Sequence, residues 1–205
     1  MRYYMLNKPK GLITACSDRA RPTVMECFPE EEREGLFPIG RLDKDTEGFL
    51  LLTDDGKLCF DIANPEKQKT KTYVFYARGE LDEEKISRLE KGVLIADRSN
   101  KPTAPAKVEY LGRCTLGDIA HLIDGDDKRL IHTRKAQVPV VKVRMTITEG
   151  RKHQVKRMAL AVGLRVVYLE RTEINGVKLD TSLKRGEYRE LYPEELHKLR
   201  SECDS

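Results

Sequence analysis

Nowhere in these 205 residues does an apolar run approach the roughly 20 residues needed to cross a bilayer, and the opening Met1-Arg2-Tyr3-Tyr4-Met5-Leu6-Asn7-Lys8 is too short and too polar for a secretory signal. A soluble cytoplasmic protein with no membrane partner is expected. The cysteines (Cys16, Cys27, Cys59, Cys114, Cys203) are odd in number and scattered, with no C-x-x-C pair. That excludes a disulfide framework and fits reduced thiols. The histidines His121, His132, His153 and His197 are isolated from one another and from cysteines, so no metal site is expected. A glycine-rich phosphate loop and a Ser/His/Asp signature are also missing, and no cofactor is expected.

Acid is scarce in one region. From Lys128 to Arg171 there are twelve lysines and arginines against Glu149 and Glu170, a local net charge of +10, while the rest of the chain carries −6. A basic segment inside a mildly acidic protein is the footprint of a polyanion partner. A solvated lysine face would be the plainer account, but acids to balance it are nearly absent over more than forty residues.

A chain of this length supports one substantial domain, or one domain with two lobes, and buries roughly 70% of its unfolded surface. Strands are expected over residues 2–9, 49–53, 72–77, 93–96, 108–111, 141–147 and 164–169, and Asn175-Gly176 marks a late turn. Helices are expected after Asp54 with Leu58 and Ile62 inward, after Asp82 as far as Gly92, over Val155 to Val162, and from Glu194. The irregular interleaving favours an α+β fold over a doubly wound parallel sheet. In the strand 141–147, Val141, Val143, Met145 and Ile147 share one face and Lys142, Arg144 and Thr146 the other.

The chain is organised around Gly40-Arg41-Leu42-Asp43-Lys44-Asp45-Thr46-Glu47-Gly48, which runs directly into Phe49-Leu50-Leu51-Leu52. Asp43, Asp45, Glu47, Gly48 and Asp54 have the spacing of a calcium loop, but Asp54 replaces the long bidentate glutamate and a buried strand fills the middle. Asp45 and Glu47 are better read as shaping a tight turn. Asp43 stands at the rim of a core, where an ionised nucleophile needs a neighbouring cation or donated hydrogen bonds. Arg151, at a strand-to-helix corner, is a candidate for that cation, and equally for a phosphate or surface-acid contact. Tyr73 follows Lys67, Lys69 and Lys71 and could stack on a nucleobase while the lysines track phosphates, or simply pack in the core.

Four stretches, Asn7-Lys8-Pro9-Lys10-Gly11, Gly40 to Gly48, Lys71-Thr72-Tyr73, and Glu149-Gly150-Arg151-Lys152-His153-Gln154-Val155-Lys156-Arg157-Met158, resemble in order and spacing the RsuA-type family of ribosomal RNA pseudouridine synthases. The resemblance covers about residues 2 to 195, with an interruption near 113–138. It implies the pseudouridine synthase fold, a mixed and mostly antiparallel central sheet flanked by helices with an RNA-binding cleft across it. It implies isomerisation of a uridine in ribosomal RNA without metal or organic cofactor, by a single catalytic domain over residues 1–200 acting as a monomer.

On the family pattern Asp43 would be the nucleophile, Tyr73 would stack on the base, and Arg151 would pair with the aspartate. The RNA-binding set expected is Lys8, Lys10, Arg41, Lys71, Arg144, Lys152, His153, Gln154, Lys156 and Arg157. Many members carry a small RNA-binding domain ahead of the catalytic part, and this chain is expected to lack it. Residues 114–137 look like an insertion that contacts RNA in its place, and 201–205 like a dispensable tail. The competing class is a non-catalytic RNA-binding or ribosome-assembly factor that keeps the fold.

Overall fold

A computed structural model of the chain describes residues 1–123, 129 and 134–201. They fall into two compact units: Met1–Lys71 with Glu170–Ser205, and Thr72–Leu169.

The first unit is built on β1 (Tyr3–Lys8), β2 (Phe37–Ile39) and β3 (Glu47–Thr53), with helix α1 (Gly56–Ala63). β1 pairs antiparallel with β3 from Tyr3↔Thr53 to Lys8↔Gly48, and β2 pairs antiparallel with β3 through Ile39↔Leu51. Every residue of β3 from Gly48 to Thr53 is buried, because both of its faces are covered. One face packs Met5, Ile39, Phe49 and Leu51 against Leu58 and Ile62 of α1. On another side of β1, Tyr4, Phe28 and Tyr188 form an aromatic cluster with centroids 4.1 to 5.5 Å apart.

Asp55, not Asp54, caps α1, its carboxylate accepting from the amides of Lys57 and Leu58. Asp54 instead accepts from the backbone and guanidinium of Arg2. Both aspartates satisfy the cap pattern in sequence; the antiparallel pairing that brings Arg2 alongside Asp54 decides between them.

The second unit holds β4 (Lys71–Arg78, all but its first residue), α2 (Glu83–Lys91), β5 (Lys107–Thr115), β6 (Pro139–Ile147), α3 (Gln154–Ala161) and the first half of β7 (Arg165–Ile174). Its strand order is β5-β6-β4-β7. Asp82 caps α2 through the Lys85 amide, and Gly92 ends it at φ +91°. β6 alternates as its sequence requires, with Val141, Val143, Met145 and Ile147 buried and Arg144 exposed. Residues 93–96 do not form a strand; only Leu94 bridges to Pro102, since Thr103 takes the hydrogen bonds of Val93.

The start of the expected insertion is not a surface appendage. Leu116, Ile119 and Ile123 are buried against Val140 and Tyr168. Most of its remainder, including Lys128, lies outside the described residues.

The second half of β7 belongs to the first unit, where Glu47↔Glu170 and Gly48↔Arg171 pair parallel with β3. Gly48 has φ +97°, and a Cβ there would collide with the Arg171 carbonyl, so no other residue fits. Asn175 and Gly176, both at positive φ, turn β7 into β8 (Val177–Lys178). β9 (Tyr188–Glu190) pairs with β1, and α4 (Pro193–Arg200) completes the unit. Ser201 is no loose tail, because Lys69 and Asn175 both donate to its carbonyl; residues 202–205 lie outside the described set. No helix among the described residues is long and apolar enough to cross a membrane.

Candidate active site and RNA interface

Asp43 sits half-buried on the loop between β2 and β3, with Leu42 and Thr46 buried on either side and Arg41, Lys44 and Asp45 exposed. The loop folds as a turn closed by the Thr46 amide on the Asp43 carbonyl at 3.1 Å. The side chain of Thr14 accepts from the Leu42 amide at 3.1 Å and donates to its carbonyl at 2.8 Å, while the Gly11 amide donates to the Lys44 carbonyl at 2.9 Å. The apolar anchor and these backbone bonds leave the Asp43 carboxylate at the edge of the core.

The strongest restraint comes from Lys8. Expected as an RNA contact, it is instead fully buried. Its ammonium donates to the carbonyls of Pro9, Asp43, Lys44 and Thr46 at 3.0, 3.2, 3.5 and 3.0 Å. A strand that ends inside the core delivers the ammonium under the loop, where it meets carbonyls and no phosphate can reach it. Burial pulls its pKa down to about 8, against the opposing pull of Glu47, Asp45, Cys27 and Asp43.

Glu47, the last acid of the motif, is paired with Arg185 at 3.2 Å, and Arg185 also reaches Glu170 at 2.9 Å. It thereby ties the 183–187 segment to the start of β3, a role that nothing in the spacing of Arg185 announces. Arg171, buried beside Gly48, donates from Nε to the Phe49 carbonyl at 2.8 Å.

In the second unit Tyr73 opens the inward row of β4, 8% exposed where Phe75 and Ala77 are 0%. It is the one member of that row with any solvent access. Thr72 beside it bonds Thr146 of β6 through their hydroxyls at 2.9 Å.

Arg151 is bonded to a set of acceptors within its own unit. Nε donates to Glu149 at 3.2 Å, Nη1 to Asp97 at 3.4 Å, to Ser99 Oγ at 3.1 Å and to the Lys101 carbonyl at 2.9 Å, and Nη2 to the Pro102 carbonyl at 2.8 Å. All five acceptors belong to its own unit. Gln154, expected to bind RNA, is buried: its Oε1 accepts from the Arg151 amide at 2.8 Å and its Nε2 donates to Glu149 at 2.7 Å. The reason is local. His153 enters α3 at φ +53° without a side-chain cap, and the turn it forms lets the Gln154 side chain fold back onto Arg151 and Glu149.

Of the other expected RNA contacts, Arg41, Arg144, Lys152 and His153 are exposed, and Lys10, Lys71, Lys156 and Arg157 are partly so. Arg144 pairs with Glu109 across the β5–β6 ladder, and Lys71 donates to the Lys69 carbonyl at 2.9 Å. Lys69 itself is buried on the end of α4, so of the three alternating lysines it does not track phosphates.

The first unit holds a half-buried carboxylate on a fixed loop, and the second holds a largely buried tyrosine and a basic helix; comparison with known proteins gives the class, an RNA-modifying enzyme of the pseudouridine synthase type. Residues 2–161 match the model of the RNA pseudouridylate synthase family. The ribosomal small subunit pseudouridine synthase A of Haemophilus influenzae is 37% identical, over 97% of this chain and 73% of that protein. An uncharacterized RNA pseudouridine synthase of Bacillus subtilis, YtzG, is 44% identical over 96% of this chain and 72% of its own length. A solved pseudouridylate synthase superposes with a TM-score of 0.79 at 37% identity, covering 97% of this chain and 73% of that one. The chain belongs to the RNA pseudouridine synthase family, in its RsuA-type branch.

Proposed function

We propose that this protein isomerises one uridine, or a few close together, in small-subunit ribosomal RNA, as a cytoplasmic monomer whose residues 1–200 act as one catalytic domain. The observation that carries the reading is the Asp43 loop, whose backbone is held by Lys8, Thr14 and Gly11 so that the carboxylate is presented on a fixed frame. Preorganisation of this kind is wasted on a pure binder, which needs cations and no nucleophile. The names of the Haemophilus influenzae and Escherichia coli relatives, 37% and 36% identical, supply the small-subunit substrate.

In this reading Asp43 adds to the uracil or to the ribose anomeric carbon, the N-glycosidic bond breaks, the base rebonds through carbon, and the bond to Asp43 breaks again to release the carboxylate. The carbon gives up a proton and the ring nitrogen gains one, so the isomerisation is redox-neutral and draws on no cofactor. Tyr73 stacks on the uridine, which has to leave its own stack to be reached. Arg41, Lys10, Lys152, Lys156 and Arg157 meet phosphates.

The test is to incubate a small-subunit rRNA transcript, naked and in assembly particles, with wild type and Asp43→Asn, and to map pseudouridine chemically. Wild type should modify a discrete site and the variant should be slower by roughly a thousandfold or more, as for loss of other catalytic nucleophiles. Modification that persists in Asp43→Asn removes the aspartate from its role. Absence of modification with wild type on every RNA form favours an assembly factor.

A further inference from the structure

We propose that Arg151 is a positioning residue that fastens the 97–104 loop to the turn ahead of α3, so that Arg98 and Lys101 join Lys152 and His153 in one RNA-contacting ridge. The inference rests on the RNA substrate proposed above and adds a contact element and a new role for Arg151.

The loop is closed at its base by the Leu94–Pro102 bridge and by Thr103, whose amide donates to the Val93 carbonyl at 2.9 Å and whose hydroxyl accepts from the Val93 amide at 3.0 Å. Its tip, Arg98 to Pro102, is exposed, with Asn100 at φ +50°. A polar tip of this kind has little apolar surface to hold it, and its position depends on what it is tied to.

The tie is the guanidinium. One planar fork reaches Asp97, Ser99, the Lys101 carbonyl and the Pro102 carbonyl, which is four points along the tip. The Nε edge reaches Glu149, and Glu149 also accepts from Gln154 at the start of α3 and from the Ala104 amide at 3.0 Å. Loop tip, loop exit and helix start are thereby joined through two side chains. A lysine, with a single nitrogen, could not span these acceptors.

The network also sorts charge. Asp97 and Glu149 are turned inward onto Arg151 with side chains 14% and 19% exposed. Hydrogen bonds from Ser99 and the nearby guanidinium hold the Asp97 carboxyl below its usual range, so it stays ionised in the clamp at any working pH. With both acids committed, Arg98, Lys101, Lys152 and His153 are exposed in segments, 98–108 and 150–157, that contain no other acid. Three exposed cations on a rigid backbone, Arg98, Lys101 and Lys152, with inward-turned carboxylates, are what a phosphate backbone binds.

The experiment compares wild type, Arg98→Ala/Lys101→Ala, Arg151→Ala and the triple variant, by filter-binding to the small-subunit rRNA transcript over a salt series and by single-turnover pseudouridine formation. Arg98→Ala/Lys101→Ala, a surface change, should raise Kd and KM about tenfold, lower the slope of log affinity against log salt by about two, and leave kcat within about twofold. Arg151→Ala should reproduce that profile, Arg151→Lys should recover only part of it, and the triple variant should add less than about twofold. A collapse of kcat in Arg151→Ala with KM unmoved would overturn the proposal and return Arg151 to the chemistry. Wild-type affinity and salt slope in Arg98→Ala/Lys101→Ala, or additive losses in the triple variant, would also overturn it. Absence of pseudouridine with wild type would count against the proposed activity alone, because Kd and salt slope read the ridge without turnover.

Discussion

Lys8 reaches four backbone carbonyls from inside the first unit, whereas Arg151 reaches two carboxylates, a hydroxyl and two carbonyls from a partly exposed corner of the second. Each holds a loop, but the chemistry differs. A compact ammonium satisfies convergent carbonyls at one point, and its burial depresses its pKa. A guanidinium spreads over separated acceptors, keeps its charge at any working pH, and draws carboxylates inward. The Asp43 loop is therefore held at one point by a buried ammonium, and the basic corner by a fork that spans separated acceptors.

The comparison can be broken most forcefully at Lys8. Lys8→Met leaves four carbonyls without their donor and should destabilise the fold by about 3 kcal/mol, read by urea unfolding. A loss below about 0.5 kcal/mol would mean that the loop does not depend on the ammonium.

The titration sharpens the contrast further. Because the folded pKa of Lys8 lies near 8, below its unfolded value, the charged form costs stability at neutral pH, and that cost is relieved as pH rises from about 8 to about 10.5. Measured against Lys8→Met, wild type should gain about 2–3 kcal/mol over that window. A flat difference would show that Lys8 titrates normally, and would contradict its burial.

At the other corner, Gln154→Leu removes the acceptor of the Arg151 amide and the donor to Glu149, and should cost about 1–2 kcal/mol in thermal or urea unfolding. Its pH dependence should match that of wild type. A loss as large as that of Lys8→Met would erase the distinction between the buried and the partly exposed anchor.

Much of the fold was legible. Alternation placed β6 with the correct face inward, the Asp82 cap and Gly92 stop bounded α2, and an unbroken apolar run marked β3 as covered on both sides. Where the reading failed, a partner from another segment decided the outcome. Asp54 and Asp55 both fit the cap, and the choice fell to Arg2 across the β1–β3 pairing. Residues 93–96 have strand composition, but Thr103 occupies the hydrogen bonds of Val93.

By itself the sequence determined the family, the α+β class, the loop that carries Asp43 and the basic stretch around α3, because these depend on residue type and spacing. Tertiary structure alone decided which cations face solvent. Lys8 and Lys69 carry the same charge as Lys152, yet both are buried on backbone carbonyls supplied by distant segments. Burial of a polar group is permitted only where partners meet it, and those partners lie as far as 38 residues away for Lys8 and 132 for Lys69.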